Sequence, residues 1–204
     1  MINQKHLTAA ALMAASWCHA SVITGVTAST NLGSNFGSNI AHTVDGTGLT
    51  SYSLAATHNV STNANAWVGR NKVGTIDFNL HGSYALTTLA IWNLNTNFPN
   101  YGIKDLTISS STDGINYFAL PGAPTTFAMG ANNLGELAEI FSLGVATTAA
   151  YVRFNVATNY GGAAAAMSEV MFDTTPVASV PEPLSLALVG VALSGLGLIR
   201  RRKT

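Results

Sequence analysis

Between residues 75 and 173, apolar side chains recur at every second position in short runs, and turn-forming residues separate the runs. Ile76, Phe78 and Leu80 alternate with Thr75, Asp77 and Asn79, and Leu106 and Ile108 alternate with Thr107 and Ser109. Val152, Phe154 and Val156 alternate with Arg153 and Asn155, and Val170 and Phe172 alternate with Glu169, Met171 and Asp173. Successive side chains of a strand point to opposite faces, so each run buries one face and wets the other. Leu89 and Ile91 differ, because Ala90, Trp92 and Leu94 make the other face apolar too, which predicts a strand covered on both sides. Residues 140–143 read as one more short strand. With no long helical period, these runs predict an all-β sandwich or barrel. Segments 31–66 and 121–134 are long for a compact domain, and structureless loops of that length are usually functional or disordered.

The two ends of the chain have a different chemistry. Lys5 and His6 precede a short apolar run, residues 7–15, and Cys18-His19-Ala20 places small residues before a cut after Ala20. This is the pattern of a secretory signal peptide over residues 1–20. Its removal takes away Cys18, the only cysteine, and with it any disulfide or thiol chemistry. At the other end, residues 184–199 carry no charge and are followed by Arg200, Arg201, Arg202 and Lys203. As a helix this run extends about 24 Å, slightly short of a ~30 Å hydrocarbon core, and snorkelling cations can make up the difference. Four cations behind an apolar helix act as a stop-transfer anchor facing the cytoplasm. The expected organisation is a signal peptide (1–20), a β-domain (21–174), a linker (175–183), a transmembrane helix (184–199) and a basic tail (200–204).

The linker ends in Pro181, Glu182 and Pro183. Both prolines fix φ and disfavour helix in the residue before them, so this stretch stays extended beside the membrane. The order Pro-Glu-Pro, apolar helix, basic cluster, chain end resembles the PEP-CTERM sorting signal of exported proteins in Gram-negative, exopolysaccharide-producing bacteria. The resemblance implies recognition of Pro181, Glu182 and Pro183 by an exosortase-type processing enzyme. It also implies a membrane-anchored stage, followed by residence at the cell surface or in the extracellular matrix.

Charge constrains partners. The chain is formally neutral, but residues 21–175 hold only Arg70, Lys72, Lys104 and Arg153 against eight carboxylates, Asp45, Asp77, Asp105, Asp113, Glu136, Glu139, Glu169 and Asp173. Phosphate backbones demand clustered cations, so nucleic acid is not an expected partner.

Three segments carry a second resemblance. Ala41-His42-Thr43-Val44-Asp45-Gly46 precedes Trp67, and Ser111-Thr112-Asp113-Gly114-Ile115-Asn116-Tyr117 has the form Ser-x-Asp-Gly-x-x-aromatic. Ala150-Tyr151-Val152-Arg153-Phe154 is followed by Met167-Ser168-Glu169-Val170-Met171-Phe172. In this order they resemble the discoidin domain of the coagulation factor 5/8 C-terminal type, whose fold is a jelly-roll-like, galactose-binding β-sandwich. The stretch from Asp45 to Trp67 is longer than that family usually has, and Tyr117 stands where Trp is common. The resemblance implies a structural Ca²⁺, with carboxylates from Asp45 and Glu169 and further oxygens from His42, Thr47, Thr50 and Ser168. Hard oxygen ligands from remote segments suit that ion. The same residues also read as a solvated turn and a surface Glu. Asp113-Gly114 reads as a hairpin turn.

His42, His58 and His81 show no metal or triad spacing and read as loop or surface residues, so no catalytic residue is assigned and an enzyme is not expected. Two functions remain. In the first, the sandwich binds carbohydrate, such as an extracellular polysaccharide, through Trp67, Arg70, Asn97 and Tyr101. In the second, it is a non-catalytic structural or adhesive matrix protein without a specific small ligand.

Overall fold

The computed structural model describes residues 21–175. The expected signal peptide, Pro-Glu-Pro motif, transmembrane helix and basic tail lie outside these residues. Ten strands form: β1 (Ser21–Val22), β2 (Thr27–Thr30), β3 (Thr57–His58), β4 (Trp67–Val68), β5 (Gly74–Asn93), β6 (Leu106–Ser111), β7 (Phe118–Ala119), β8 (Glu136–Leu137), β9 (Glu139–Val156) and β10 (Ala166–Thr175). Among the described residues, helix is limited to two short 3₁₀ turns, Ile40–Thr43 and Pro99–Tyr101.

The long strands β5 and β9 pair along almost their whole length, and each breaks register partway. On β5 the break falls between Asn79 and Tyr84, where His81 takes a left-handed φ of 53°. Such irregularities let a strand bend and change partners. Before the break β5 pairs with β2, and beyond it with β10. The later half of β9 pairs with β6, which pairs in turn with β7. One antiparallel sheet thus curls into two facing layers, the all-β sandwich that the alternation predicted.

The core fills the space between the layers. Ile76, Phe78 and Leu80 on one side and Leu89 and Ile91 on the other are at most 1 % exposed. Phe78 meets Phe154 at 4.9 Å and Phe172 at 5.3 Å between ring centroids, joining the layers. Strands of both layers close around this one cluster, and β1 and β10, at the two ends of the segment 21–175, pair with each other.

Both long loops have packing roles. Leu49, Leu54 and Ala56 cover the outward face of β5, where Ala90 and Trp92 are fully buried with Met171 of β10. That accounts for the doubly apolar β5 sequence. The second loop inserts Phe127, fully buried, against Phe154 at 5.8 Å and Phe141 at 5.9 Å. Truncating such a ring leaves a cavity, so Phe127→Ala is expected to cost about 3–5 kcal/mol in thermal or urea unfolding.

The Asp113-Gly114 turn forms as expected. Asp113 Oδ1 accepts from the N–H groups of Ile115 and Asn116, and Gly114 takes φ 75°. Those bonds, led by the one from Asn116, hold the carboxyl well below its ordinary range.

Candidate functional site

One end of the sandwich carries a cavity of about 540 Å³, walled mainly by the loop that leads into β4 and the loop that follows β5. Its apolar wall is Ala66, Val68, Leu94, Tyr101 and the rings of Phe36 and Phe98. Its polar wall is Ser61, Thr62, Asn63, Thr96 and Asn97. Among the described residues, no carboxylate, imidazole, amine or guanidinium lines it. The size falls within the ~300–1,000 Å³ range of small-ligand sites.

The chain fixes these walls from below. Asn93 and Asn95, at and just beyond the end of β5, are buried and act as staples. Asn93 Nδ2 donates to the carbonyls of Ile103 and Ala128, both at 2.7 Å. Asn95 Nδ2 donates to the carbonyls of His58, Asn59 and Leu134, while its Oδ1 accepts from Ser61. Ser168 joins that network through its own hydroxyl, donating to the carbonyl of Asn93 at 2.9 Å. Buried amides with satisfied partners hold several loops in one geometry, the preorganisation a binding site needs.

The rim is aromatic. Phe36 and Phe98 are 61 % and 59 % exposed and stand together at the cavity with Tyr101, an apolar patch rather than scattered exposed rings. Phe98 meets Tyr101 edge to face, 6.4 Å between centroids. Phe36 adopts φ 53°, strained for a bulky side chain, and strain of this kind clusters at ligand sites. Asn97 Oδ1 accepts from the Thr96 hydroxyl at 3.0 Å, leaving its amide N–H groups for another acceptor.

Of the four residues expected to touch carbohydrate, Asn97 and Tyr101 line this cavity. Trp67 does not, and that expectation is corrected: its ring is fully buried, with Nε1–H donating to Gly33 O at 3.0 Å and Ser34 Oγ at 3.2 Å. As the first residue of β4, with both residues of that strand buried, this large aromatic serves the core rather than the rim. Arg70 is exposed, but its Nε–H donates to Ser34 O at 2.8 Å and the residue lies outside the cavity lining. Phe36 and Phe98 were not read as site residues. The available signal was a phenylalanine in a polar loop with no alternating partner.

The expected Ca²⁺ residues separate into two groups. Asp45 and Glu169 come together: Glu169 Oε2 accepts from the Gly46 N–H at 3.1 Å, and Asp45 follows the Ile40–Thr43 turn. Glu169 is fully buried, and its Oε1 has no hydrogen-bond partner among the described residues. Burial, assisted by the nearby Asp45 charge, pushes its carboxyl up to about 9. Asp45 is also raised by burial, but hydrogen bonds from Thr47 and His42 outweigh this and leave it below its ordinary value. His42 enters through its side chain, with Nδ1 at 3.0 Å from Asp45 Oδ2. Thr47 donates its N–H to Asp45 Oδ1 at 2.8 Å. Thr50 Oγ1 accepts from the Thr57 N–H, and the Ser168 hydroxyl belongs to the network under the cavity, so the oxygen expected of Ser168 is its main-chain carbonyl. Among the described residues, no group of three or more His, Cys, Asp or Glu side chains gathers at one place. An orphaned, buried carboxylate oxygen within the field of a second carboxylate does fit a hard cation completed by main-chain oxygens.

His58 is a correction. It is fully buried, its two ring nitrogens 2.6 Å and 3.1 Å from the carbonyls of Asn59 and Asn65. Among the described residues no helix is long and apolar enough to cross a membrane, and the expected span at 184–199 lies outside them.

No family model matches the chain, and no curated protein does. Solved structures share its fold. A family 32 carbohydrate-binding module (CBM) from Clostridium perfringens NanJ, solved with galactose, is 14 % identical with a TM-score of 0.53, over 76 % of this chain and 99 % of that one. CpGH89CBM32-5 from C. perfringens, solved with GalNAc-β-1,3-galactose, is 15 % identical with a TM-score of 0.56, over 74 % and 99 %. A further module, CBM32-1 from a C. perfringens family 31 glycoside hydrolase, is 16 % identical with a TM-score of 0.54, over 74 % and 95 %.

Proposed function

We propose that the loop-end cavity binds a neutral glycan and that the chain is an exported, membrane-sorted protein of the cell surface or extracellular matrix. The observation that carries the binding reading is the uncharged cavity rimmed by Phe36, Phe98 and Tyr101, with Asn97 beside them. Sugar rings present C–H faces that stack on aromatic rings, and hydroxyls that bond amides and Ser or Thr side chains. Two modules of the same fold were solved with galactose and GalNAc-β-1,3-galactose, so galactose-type sugars are the first probes. The test is a glycan array of the segment 21–175. Signal on neutral galactosides, and none on uronates, supports the reading. Uniform silence favours a structural matrix role without a specific small ligand.

Asp45 and Glu169 are the residues that would hold Ca²⁺. Bound there, the ion would tie β10 to the loop after residue 43 by electrostatic attraction. It sits apart from the cavity lining, so its expected role is to stabilise the fold.

Sorting rests on Pro181, Glu182 and Pro183 with the apolar run and Arg200, Arg201, Arg202 and Lys203 behind it. An exosortase-type enzyme in the membrane is the partner this implies. Cell fractionation is expected to find the protein in the envelope or outside the cell, without residues 1–20. Deleting residues 200–203 is expected to release or mislocalise it, because the apolar run alone is short for a bilayer. A full-length cytoplasmic pool, or unchanged localisation after the deletion, contradicts this.

A further inference from the structure

The solvent face of the first layer holds a second cluster that the loop cavity does not use. Strand register places Ser29, Asp77, Arg153 and Ser109 side by side across β2, β5, β9 and β6. Thr27, Asn79 and Tyr151 form the next rank. Residues paired across strands share a face, and these positions alternate with the buried Ile76, Phe78, Val152 and Phe154. The core therefore takes one face, and the other is polar, exposed at Ser29, half-buried at Asp77, Arg153 and Tyr151, and closed over at the buried Ser109 of β6.

We infer that this face is a second glycan-binding site, selective for neutral polyols and separate from the loop-end cavity. It forms a depression of about 370 Å³ that shares no lining residue with that cavity. Arg153 is fixed at its centre without being exhausted. Its Nε–H donates to Asp77 Oδ1 at 2.5 Å, and its guanidinium lies 4.0 Å from the centroid of the Tyr117 ring. Its two terminal nitrogens, and Asp77 Oδ2, make no hydrogen bond among the described residues. A fork of N–H donors beside a carboxylate oxygen matches a pair of neighbouring sugar hydroxyls, which accept from the first and donate to the second. Tyr151 adds a half-buried ring backed by Gly114, where an added Cβ would lie 3.2 Å from that ring.

Charge selects the class of sugar. Asp77 cancels Arg153 within the site, and Asp113 stands in the adjoining turn close enough for its charge to act on Tyr117. An anionic sugar would meet this field with no surplus cation, whereas a neutral polyol meets paired donors and acceptors. Flat sheet faces also suit extended chains, so a chain of several neutral residues is the expected ligand.

The test is NMR titration of the segment 21–175 with β-1,4-galactotetraose, cellotetraose and chitotetraose, and with tetragalacturonate as the anionic contrast. The expected result is movement of the Arg153 Nε–H and of the Tyr117 and Tyr151 ring signals with at least one neutral probe, and weaker movement with tetragalacturonate. Ser29→Trp, at an exposed position on β2 beside Asp77, fills the depression and is expected to abolish these shifts while Phe98 still responds. Tyr151→Phe, which keeps the ring, is expected to retain binding within a few-fold. Sheet-face signals that stay still with all three neutral probes, or that move unchanged in Ser29→Trp, overturn the inference. A responsive sheet face with a silent Phe98 would sink the loop-cavity reading and leave this one standing.

Discussion

In free Ca²⁺ at about 100 times its Kd, the segment 21–175 is expected to be roughly 2.7 kcal/mol more stable than in chelator, and Glu169→Gln is expected to abolish that gain. The expectation starts from Glu169, a fully buried carboxyl with Oε1 unpartnered and Asp45 close by. A native fold tolerates such a group by keeping it protonated or by giving it a cation. Residues 45 and 169 lie on remote segments, so an ion between them binds only the folded chain. Gln keeps an acceptor for the Gly46 N–H but carries no charge, which isolates the ionic contribution from the hydrogen bond. Asp45→Ala is expected to lose the same increment, while Asp113→Ala, in a turn elsewhere, is expected to keep it.

The pH dependence has a defined sign. In chelator the folded Glu169 titrates near 9 against an ordinary 4.5, so its contribution to stability is full below about 4.5 and lost as the pH rises through 9. A bound cation holds the carboxylate ionised, so the Ca²⁺ increment is expected to grow across that window. Thermal melting with Ca²⁺ and with chelator, at several pH values, checks both statements. Superimposable curves from metal-free protein would reject the ion.

Phe98→Ala is expected to weaken galactoside binding at least about tenfold, a loss of roughly 1.4 kcal/mol, with little change in melting temperature. The ring is 59 % exposed, so the fold loses little core when it goes, whereas a stacked sugar loses its platform. Asn97→Ala removes an amide with N–H groups to offer and is expected to act in the same direction. Trp67→Ala is the contrast. Its ring is fully buried, so the expected result is a loss of about 3–5 kcal/mol of stability and of binding only through unfolding. Calorimetric titration alongside melting separates the two behaviours.

The alternation of Ile76, Phe78 and Leu80, and of Val152, Phe154 and Val156, identified the strands because period two reports directly which face is wet. The doubly apolar run from Leu89 to Leu94 likewise told of cover on both sides, though not that the 49–56 loop would supply it. Asn93 and Asn95 were silent as sequence. An asparagine looks the same in a solvated turn and in a buried staple, and only the carbonyls it meets distinguish them. Trp67 misled for a related reason. Aromatic type is shared by core and ligand platform, and its place in the buried strand β4 decides for the core. Phe98 was overlooked because a lone aromatic in a polar loop has no periodic partner. Asp45 and Glu169 were paired in advance through family resemblance, since nothing local links residues so far apart in the chain.

Occupancy of the loop-end cavity by a neutral sugar is open to NMR titration of isotopically labelled 21–175 with galactose, followed by N-acetylgalactosamine. Saturable shifts at Phe36, Asn97, Phe98, Tyr101 and their neighbours are the predicted result, whether or not the sheet face also responds. A folded spectrum in which these signals stay fixed at saturating concentrations of both sugars would contradict it.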